Sequence, residues 1–129
     1  MRTIETRKEL TAEWNRVGVN EGIEYAILTD DISKAWSGMS TKEYKQHKGL
    51  KKEGLRDNMT NMELILNMLA EASTTEISKV ENPDGFEESR DVAKRGGNIA
   101  GNARKELEAV TGKSVISKKN SKNPELLDE

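Results

Sequence analysis

The apolar residues of this chain recur at helical intervals, and no stretch shows a dependable strand pattern. Ile4, Leu10, Trp14 and Val17 stand at helical spacing between Glu, Arg and Lys residues, which predicts a first amphipathic helix over residues 3–17. The glycines that follow are expected to end this helix.

Two shorter helices are predicted between residues 23 and 49. The apolar run at 23–28 is compatible with a strand or a helix, and its length favours a helix or an extended buried connector. Thr29 is then expected to cap a helix that ends at Gly38. Ser40, with Glu43 three residues later, forms a capping box, which predicts a second helix that ends near residue 48.

The most apolar segment begins at a second capping box, formed by Thr60 and Glu63. The large aliphatic side chains that follow Thr60 are Met62, Leu64, Ile65, Leu66, Met68 and Leu69. They cover nearly every side of a helix, so we expect this helix to be central and buried on several faces. The same capping spacing recurs at 73–76, which predicts a break or a kink near Ser73, with a further helical turn or two through Val80. The alternative for that polar patch is an anion-binding or partner-binding helix N-terminus.

A last long helix is predicted from Phe86 to Val110, with Gly112 as its C-terminal stop. Its inward positions are mostly small, and each of its two adjacent glycines at 96 and 97 costs about 1 kcal/mol relative to alanine. That cost indicates a local break or a close neighbour, within the domain or in a symmetric dimer. The candidate partner-interface residues are Ala93, Gly97, Ala100, Gly101 and Arg104. A nucleotide-binding loop is disfavoured, because no strand precedes the glycines and no Lys-Ser/Thr pair follows them.

These elements predict an all-α fold, a single compact helical domain of about five helices over residues 1–113. Residues 114–129 are rich in Ser, Lys and Asn and contain Pro124, so they are expected to form a flexible polar tail.

The charges of the chain are unevenly placed. Residues 42–56 carry six Lys or Arg against two Glu, whereas residues 57–88 carry eight Asp or Glu against one Lys. A cationic segment held beside a buried helix is suited to contact a polyanion such as DNA. The candidate nucleic-acid-binding residues are Lys42, Lys45, His47, Lys48, Lys51, Lys52 and Arg56. The alternative is a solvated loop, or cations paired with the adjacent acidic segment.

Residues 32–47 also fit a helix-turn-helix, in which the basic second helix would enter a major groove. Any capped pair of short helices gives this pattern. The basic run lacks Asn, and its one Arg lies outside the helix, so the helix has few side chains that could form specific hydrogen bonds with base edges. We therefore expect phosphate contacts with little sequence preference.

Composition disfavours several functional classes. The chain has no Cys and one His, without metal-ligand spacing, so we expect no catalytic residue, no metal and no cofactor. The acidic pairs at 30–31 and 87–88 are adjacent in sequence, so their side chains point in different directions. The charged start lacks a secretory signal, and no apolar run reaches the roughly 18 residues of a membrane span. We therefore expect a cytoplasmic protein with no membrane contact.

Three long strings carry a resemblance to a known family. They are YAILTDDISKAWSGMSTKEY at 25–44, YKQHKGLKKEGLRDNMTNMELILNMLAEASTTEI at 44–77 and GGNIAGNARKELEAVTGKSVIS at 96–117. Over roughly residues 7–118 the chain resembles the bacterial DNA-damage-inducible protein D (DinD) family.

Members of that family carry a further N-terminal region, similar to the Bro domain of phage and baculovirus antirepressor-like proteins. Nothing in this sequence matches that region, so we expect the chain to correspond to the C-terminal domain alone. The resemblance implies a bacterial or prophage protein made during the SOS response, which works without catalysis around DNA or a recombinase filament. It implies no catalytic residues.

The resulting hypothesis is a non-enzymatic accessory protein of the DNA-damage response. It binds single-stranded or double-stranded DNA through residues 42–56 and modulates a recombinase–DNA filament. The alternative is a protein-interaction module, antirepressor-like or homodimeric, that makes no direct contact with DNA.

Overall fold

The computed structural model describes residues 2–118, with side chains described from Ile4 onward. Within these residues there are five α-helices, one short 3-10 turn and no strand, which confirms the all-α prediction. The helices are α1 (Arg2–Arg16), α2 (Ile23–Ser37), α3 (Thr41–His47), α4 (Asn61–Glu81) and α5 (Gly85–Thr111). The 3-10 turn is Arg56–Asn58, between α3 and α4. Each of these helices is too short or too polar to cross a lipid bilayer.

Both predicted capping boxes are confirmed. The Ser40 hydroxyl accepts from the Glu43 amide at 3.2 Å, and the Glu43 carboxylate accepts from the Ser40 amide at 2.8 Å. Thr60 and Glu63 repeat this exchange at the start of α4. Each pair satisfies two backbone donors that a helix start leaves free, so these two boundaries are fixed by local sequence.

The predicted cap at Thr29 is wrong. The apolar run at 23–28 forms the first half of α2, and Gly22 is its N-cap. Thr29 lies inside the helix, where its hydroxyl donates to the Tyr25 carbonyl at 2.7 Å. A threonine that bonds to the carbonyl of the preceding turn is compatible with a helix interior, which explains the error.

Of the break or kink predicted near Ser73, the break is wrong, because α4 is continuous from Asn61 to Glu81. The Thr74 and Thr75 hydroxyls donate to the carbonyls of Ala70 and Glu71 at 2.8 and 3.1 Å. Both hydroxyls are thus satisfied within the helix and do not cap a new one.

The core lies where α5 crosses α2 and α4, with α1 packed against α4. It is built from buried side chains of all five helices: Leu10, Trp14, Leu28, Ile32, Trp36, Tyr44, Leu66, Ala70, Ala93 and Ala100. The expectation that α4 is buried on nearly all sides needs correction. Met62, Ile65 and Leu69 are 39, 54 and 37% exposed, because neighbouring helices cover only the opposite side of α4.

The small residues of α5 allow close helix contact within the domain. A Cβ added at Gly96 would lie 2.7 Å from the Thr74 Cα atom on α4. A Cβ added at Gly101 would lie 2.5 Å from the Ala35 carbonyl oxygen on α2. The predicted close neighbour therefore exists, and it is α2 and α4 of the same chain.

Replacing Gly101 with alanine should lower the free energy of unfolding by about 1–3 kcal/mol, because α2 must move to admit the methyl group. Helix propensity alone predicts the opposite sign, a gain of about 1 kcal/mol. Urea denaturation followed by circular dichroism measures the difference. Asn102→Ala, at the next and exposed position, is the control. Equal or greater stability for Gly101→Ala would contradict the close contact.

The first residues of the predicted tail, which begins at residue 114, contact the rest of the domain. Val115 and Ile116 pack against the core, and the Ser117 amide donates to Glu63 at 3.2 Å. The ordered domain therefore extends past residue 113. The rest of the predicted tail, residues 119–129, lies outside the described residues.

Candidate nucleic-acid interface

The basic segment is divided between α3 and the loop that leads to α4. Lys42 and Lys45 lie three residues apart on α3, so they share one face of the helix, as predicted. Lys42, Lys51 and Lys52 are exposed, and Lys45 is half-buried. None of these four ammonium groups has an ion-pair partner within 4 Å among the residues whose side chains are described.

Three of these lysines line one open groove of about 640 Å³ between α1, α2 and α3. We call it the lysine groove, and its lining residues are Arg7, Ala26, Thr29, Asp30, Thr41, Lys42, Lys45, Gln46, Leu50 and Lys51. Its four cationic side chains face one carboxylate, Asp30, which accepts from the Thr41 amide at 3.0 Å. The groove therefore presents excess positive charge in a concave surface, where such charge acts most strongly on an anion.

Lys48 must be removed from the predicted binding set. Its side chain is fully buried, with the ammonium group 2.8 Å from Glu63 Oε1 and 2.8 Å from the Ser117 carbonyl oxygen. An ammonium neutralised in the core contacts no phosphate. The alternative interpretation, pairing with the adjacent acidic segment, is correct for this residue.

Glu63 is the centre of this buried cluster. Its second carboxylate oxygen accepts from the Tyr44 hydroxyl and from the Ser117 amide. Burial, and then the charge of Glu63, raise the pKa of the Tyr44 hydroxyl far above its usual range. The phenol therefore remains a donor to the carboxylate. The cluster joins the end of α3, the start of α4 and residue 117, so it fixes α3 and the lysines that α3 carries.

Arg56 is also ion-paired within the domain, and its side chain is only partly exposed. Its Nη2 atom lies 2.9 Å from Glu71 Oε2, and Arg7 Nη1 lies 3.5 Å from the same oxygen. Burial lowers the pKa of the Arg7 guanidinium; the Glu71 carboxylate opposes this shift, and the neighbouring Arg56 charge adds to it. Two guanidinium groups, of which Arg7 also lines the groove, thus share the Glu71 carboxylate.

A second, smaller cavity of about 240 Å³ lies behind these guanidinium groups. We call it the inner cavity, lined by Arg7, Arg56, Asn67 and Glu71 together with the apolar side chains of Ile32, Leu55 and Met59. Arg7, Thr29 and Thr41 line both spaces, so the inner cavity adjoins the lysine groove.

The remaining predicted residues of this set lie outside both spaces. His47 is half-buried at the end of α3, and Lys52 is exposed on the loop. Neither lines the groove or the inner cavity.

Sequence reasoning missed Arg7, Asn67 and Glu71. Arg7 belongs to α1 and the other two to α4, so no local spacing connects them to the basic segment. One signal was available: Glu71 is a carboxylate on the buried side of the most apolar helix, where a cationic partner is required.

The predicted partner interface on α5 needs the same correction. Ala93 and Ala100 are fully buried, and Gly97 and Gly101 meet the backbone of α2. Arg104 donates to the Trp36 carbonyl at 2.7 Å and to Glu108 at 2.8 Å. This face is used inside the domain and is not available to a second copy of the chain.

Comparison with known proteins gives one match to a family model. The model described as the DinD C-terminal domain matches residues 2–123. No curated protein and no solved structure matches the chain.

Proposed function

The chain belongs to the DinD C-terminal domain family, a DNA-damage-inducible protein family, and on that premise we propose that it binds DNA through the lysine groove. In this proposal it is a non-enzymatic accessory protein of the DNA-damage response. The observation that carries the proposal is a set of three lysines in one concave surface, Lys42, Lys45 and Lys51, none of which has an ion-pair partner among the described side chains.

The physical basis is release of counterions. Each phosphate neutralised by a lysine releases condensed cations, and this supports binding without reading the base sequence. Flexible lysine stems suit such contacts, because a point charge can reach a phosphate from several directions. The buried Glu63 cluster also fixes the position of α3, which carries Lys42 and Lys45.

The test is a titration of the protein with single-stranded and double-stranded DNA at two salt concentrations. Three phosphate contacts predict a slope of log affinity against log salt of roughly −2 for single strands. Absence of binding at low salt, or binding that does not change with salt, would exclude the proposal.

The proposal extends to a recombinase–DNA filament as the physiological ligand. Residues 57–88 place an acidic segment next to the basic one, and its exposed members include Asp57, Asp84 and Glu87. These carboxylates are suited to a basic protein partner alongside DNA. A binding assay with DNA alone, recombinase alone and recombinase-coated DNA separates the cases, and tighter binding to the coated DNA is expected.

A second candidate function, a protein-interaction module, is favoured by the exposed face of α4. Met62, Ile65 and Leu69 form an apolar row at helical spacing that no described part of the chain covers. If this row forms a homodimer, light scattering gives a mass that rises with concentration and falls for Ile65→Glu. A constant monomer mass together with DNA binding would exclude the homodimer and support the DNA-binding proposal.

A further inference from the structure

The inner cavity has chemical features that the phosphate contacts of the lysine groove do not use. The guanidinium atom Nη1 of Arg56 and the carboxylate atom Oε1 of Glu71 are buried and have no hydrogen-bond partner among the described residues. Arg56 offers a donor and Glu71 an acceptor, and the two side chains are held together by the ion pair between their other atoms. Buried polar atoms are normally paired, so this pair points to a ligand that carries both an acceptor and a donor.

The walls of the inner cavity favour a ligand with apolar faces. Ile32, Leu55 and Met59 supply aliphatic surface, and Asn67 adds an amide that can donate and accept. At about 240 Å³ the cavity is smaller than the roughly 300 Å³ at which pockets for drug-sized molecules begin. It therefore suits a single heterocycle.

Phosphate is a poorer fit to this cavity than a heterocycle. A fully ionised phosphate accepts hydrogen bonds only, so it would leave the Glu71 oxygen without a donor and place two anions together. A nucleobase has a planar body with apolar faces, and its edge presents acceptors and donors side by side.

We propose that the inner cavity receives one unstacked base of a nucleic-acid strand whose phosphates lie in the lysine groove. This inference rests on the proposed function. The two spaces share Arg7, Thr29 and Thr41 as wall residues, and the proposal requires that a base in the inner cavity be joined through its sugar to a phosphate in the neighbouring groove.

The inference predicts a preference for single strands. A base enters the inner cavity only after it leaves its stack and its partner, and a duplex resists this step whereas a single strand does not. Single-stranded DNA should therefore bind about tenfold more tightly than a duplex of equal length, the size expected when one base contact is gained.

The experiment uses the full chain and a short single strand that carries one 2-aminopurine. Among the described residues, no side chain that lines the inner cavity is aromatic. A base that leaves its neighbours in the strand is therefore not quenched again there, and its fluorescence should rise on binding. A strand of the same length without bases keeps every phosphate and should bind about tenfold more weakly.

Asn67→Phe fills the inner cavity and leaves the groove lysines in place. It should remove the preference for single strands and keep the duplex affinity, whereas Asn102→Phe, at an exposed position of α5, should change neither. If Asn67→Phe does not fold, the fluorescence and base-free arms decide on the unaltered chain.

The possible results separate the two proposals. DNA binding with unchanged fluorescence and equal affinity for the base-free strand overturns the base pocket and leaves the lysine groove standing. No binding to any DNA overturns both. A fluorescence rise together with weaker binding of the base-free strand supports both.

Discussion

Replacing Lys48 with methionine should lower the free energy of unfolding by about 3–5 kcal/mol, because Glu63 then remains buried without its cation. Both side chains of this pair are fully buried, so solvent cannot screen the charge that is left. Methionine keeps the length of the aliphatic stem, which limits the change in packing. Chemical denaturation of the two proteins gives the difference directly.

Lys52→Met is the matched control, because it removes the same charge from the same loop at an exposed site. It should change stability by no more than about 0.5 kcal/mol. Equal stabilities for the two variants would mean that the buried pair does not form. At a temperature where Lys48→Met is folded, the DNA affinity of the variant should match that of the unaltered protein, because the Lys48 ammonium group of the unaltered protein faces the core and not the groove.

Reversing the charge of Lys42, Lys45 and Lys51 to Glu should weaken DNA binding at low salt by at least about 100-fold. All three side chains line the lysine groove and have no ion-pair partner among the described residues, so the substitutions break no ion pair there. Stability should therefore stay close to that of the parent, which separates this variant from Lys48→Met. The salt slope of any residual binding should be close to zero.

The control is a triple variant on α5 and just beyond it, Lys94→Glu, Lys105→Glu and Lys113→Glu. It changes the net charge by the same amount at exposed positions outside the groove. A similar loss of affinity in both triple variants would show that overall charge, and not the groove, governs binding.

Local sequence predicted the parts of the fold that depend on local bonds. The Ser40 and Thr60 boxes are closed by residues three positions away, and α5 ends at the left-handed Gly112. The errors occurred where a side chain had two local choices. Thr29 and the hydroxyls after Ser73 fit a cap and also fit a bond to the preceding turn, and tertiary packing decided between them.

The candidate site was predictable only in part, for a related reason. Lys48 follows Lys45 at helical spacing, so the local sequence does not distinguish it from the exposed lysines beside it. Its partners, Glu63 and Ser117, lie far along the chain. The glycines of α5 correctly indicated a close neighbour. Nothing in their spacing distinguishes α2 and α4 of the same chain from a second molecule.

The bonds of Ser117 decide where this domain can be trimmed. A version that stops at Gly112 would retain all five helices, and its helical content would look intact. It would nevertheless lack the carbonyl that Lys48 donates to and the amide that donates to Glu63. The six residues after Gly112 contain no helix, yet Ser117 bonds to the buried pair and Val115 and Ile116 pack against the core, so a boundary chosen from secondary structure alone would remove these contacts.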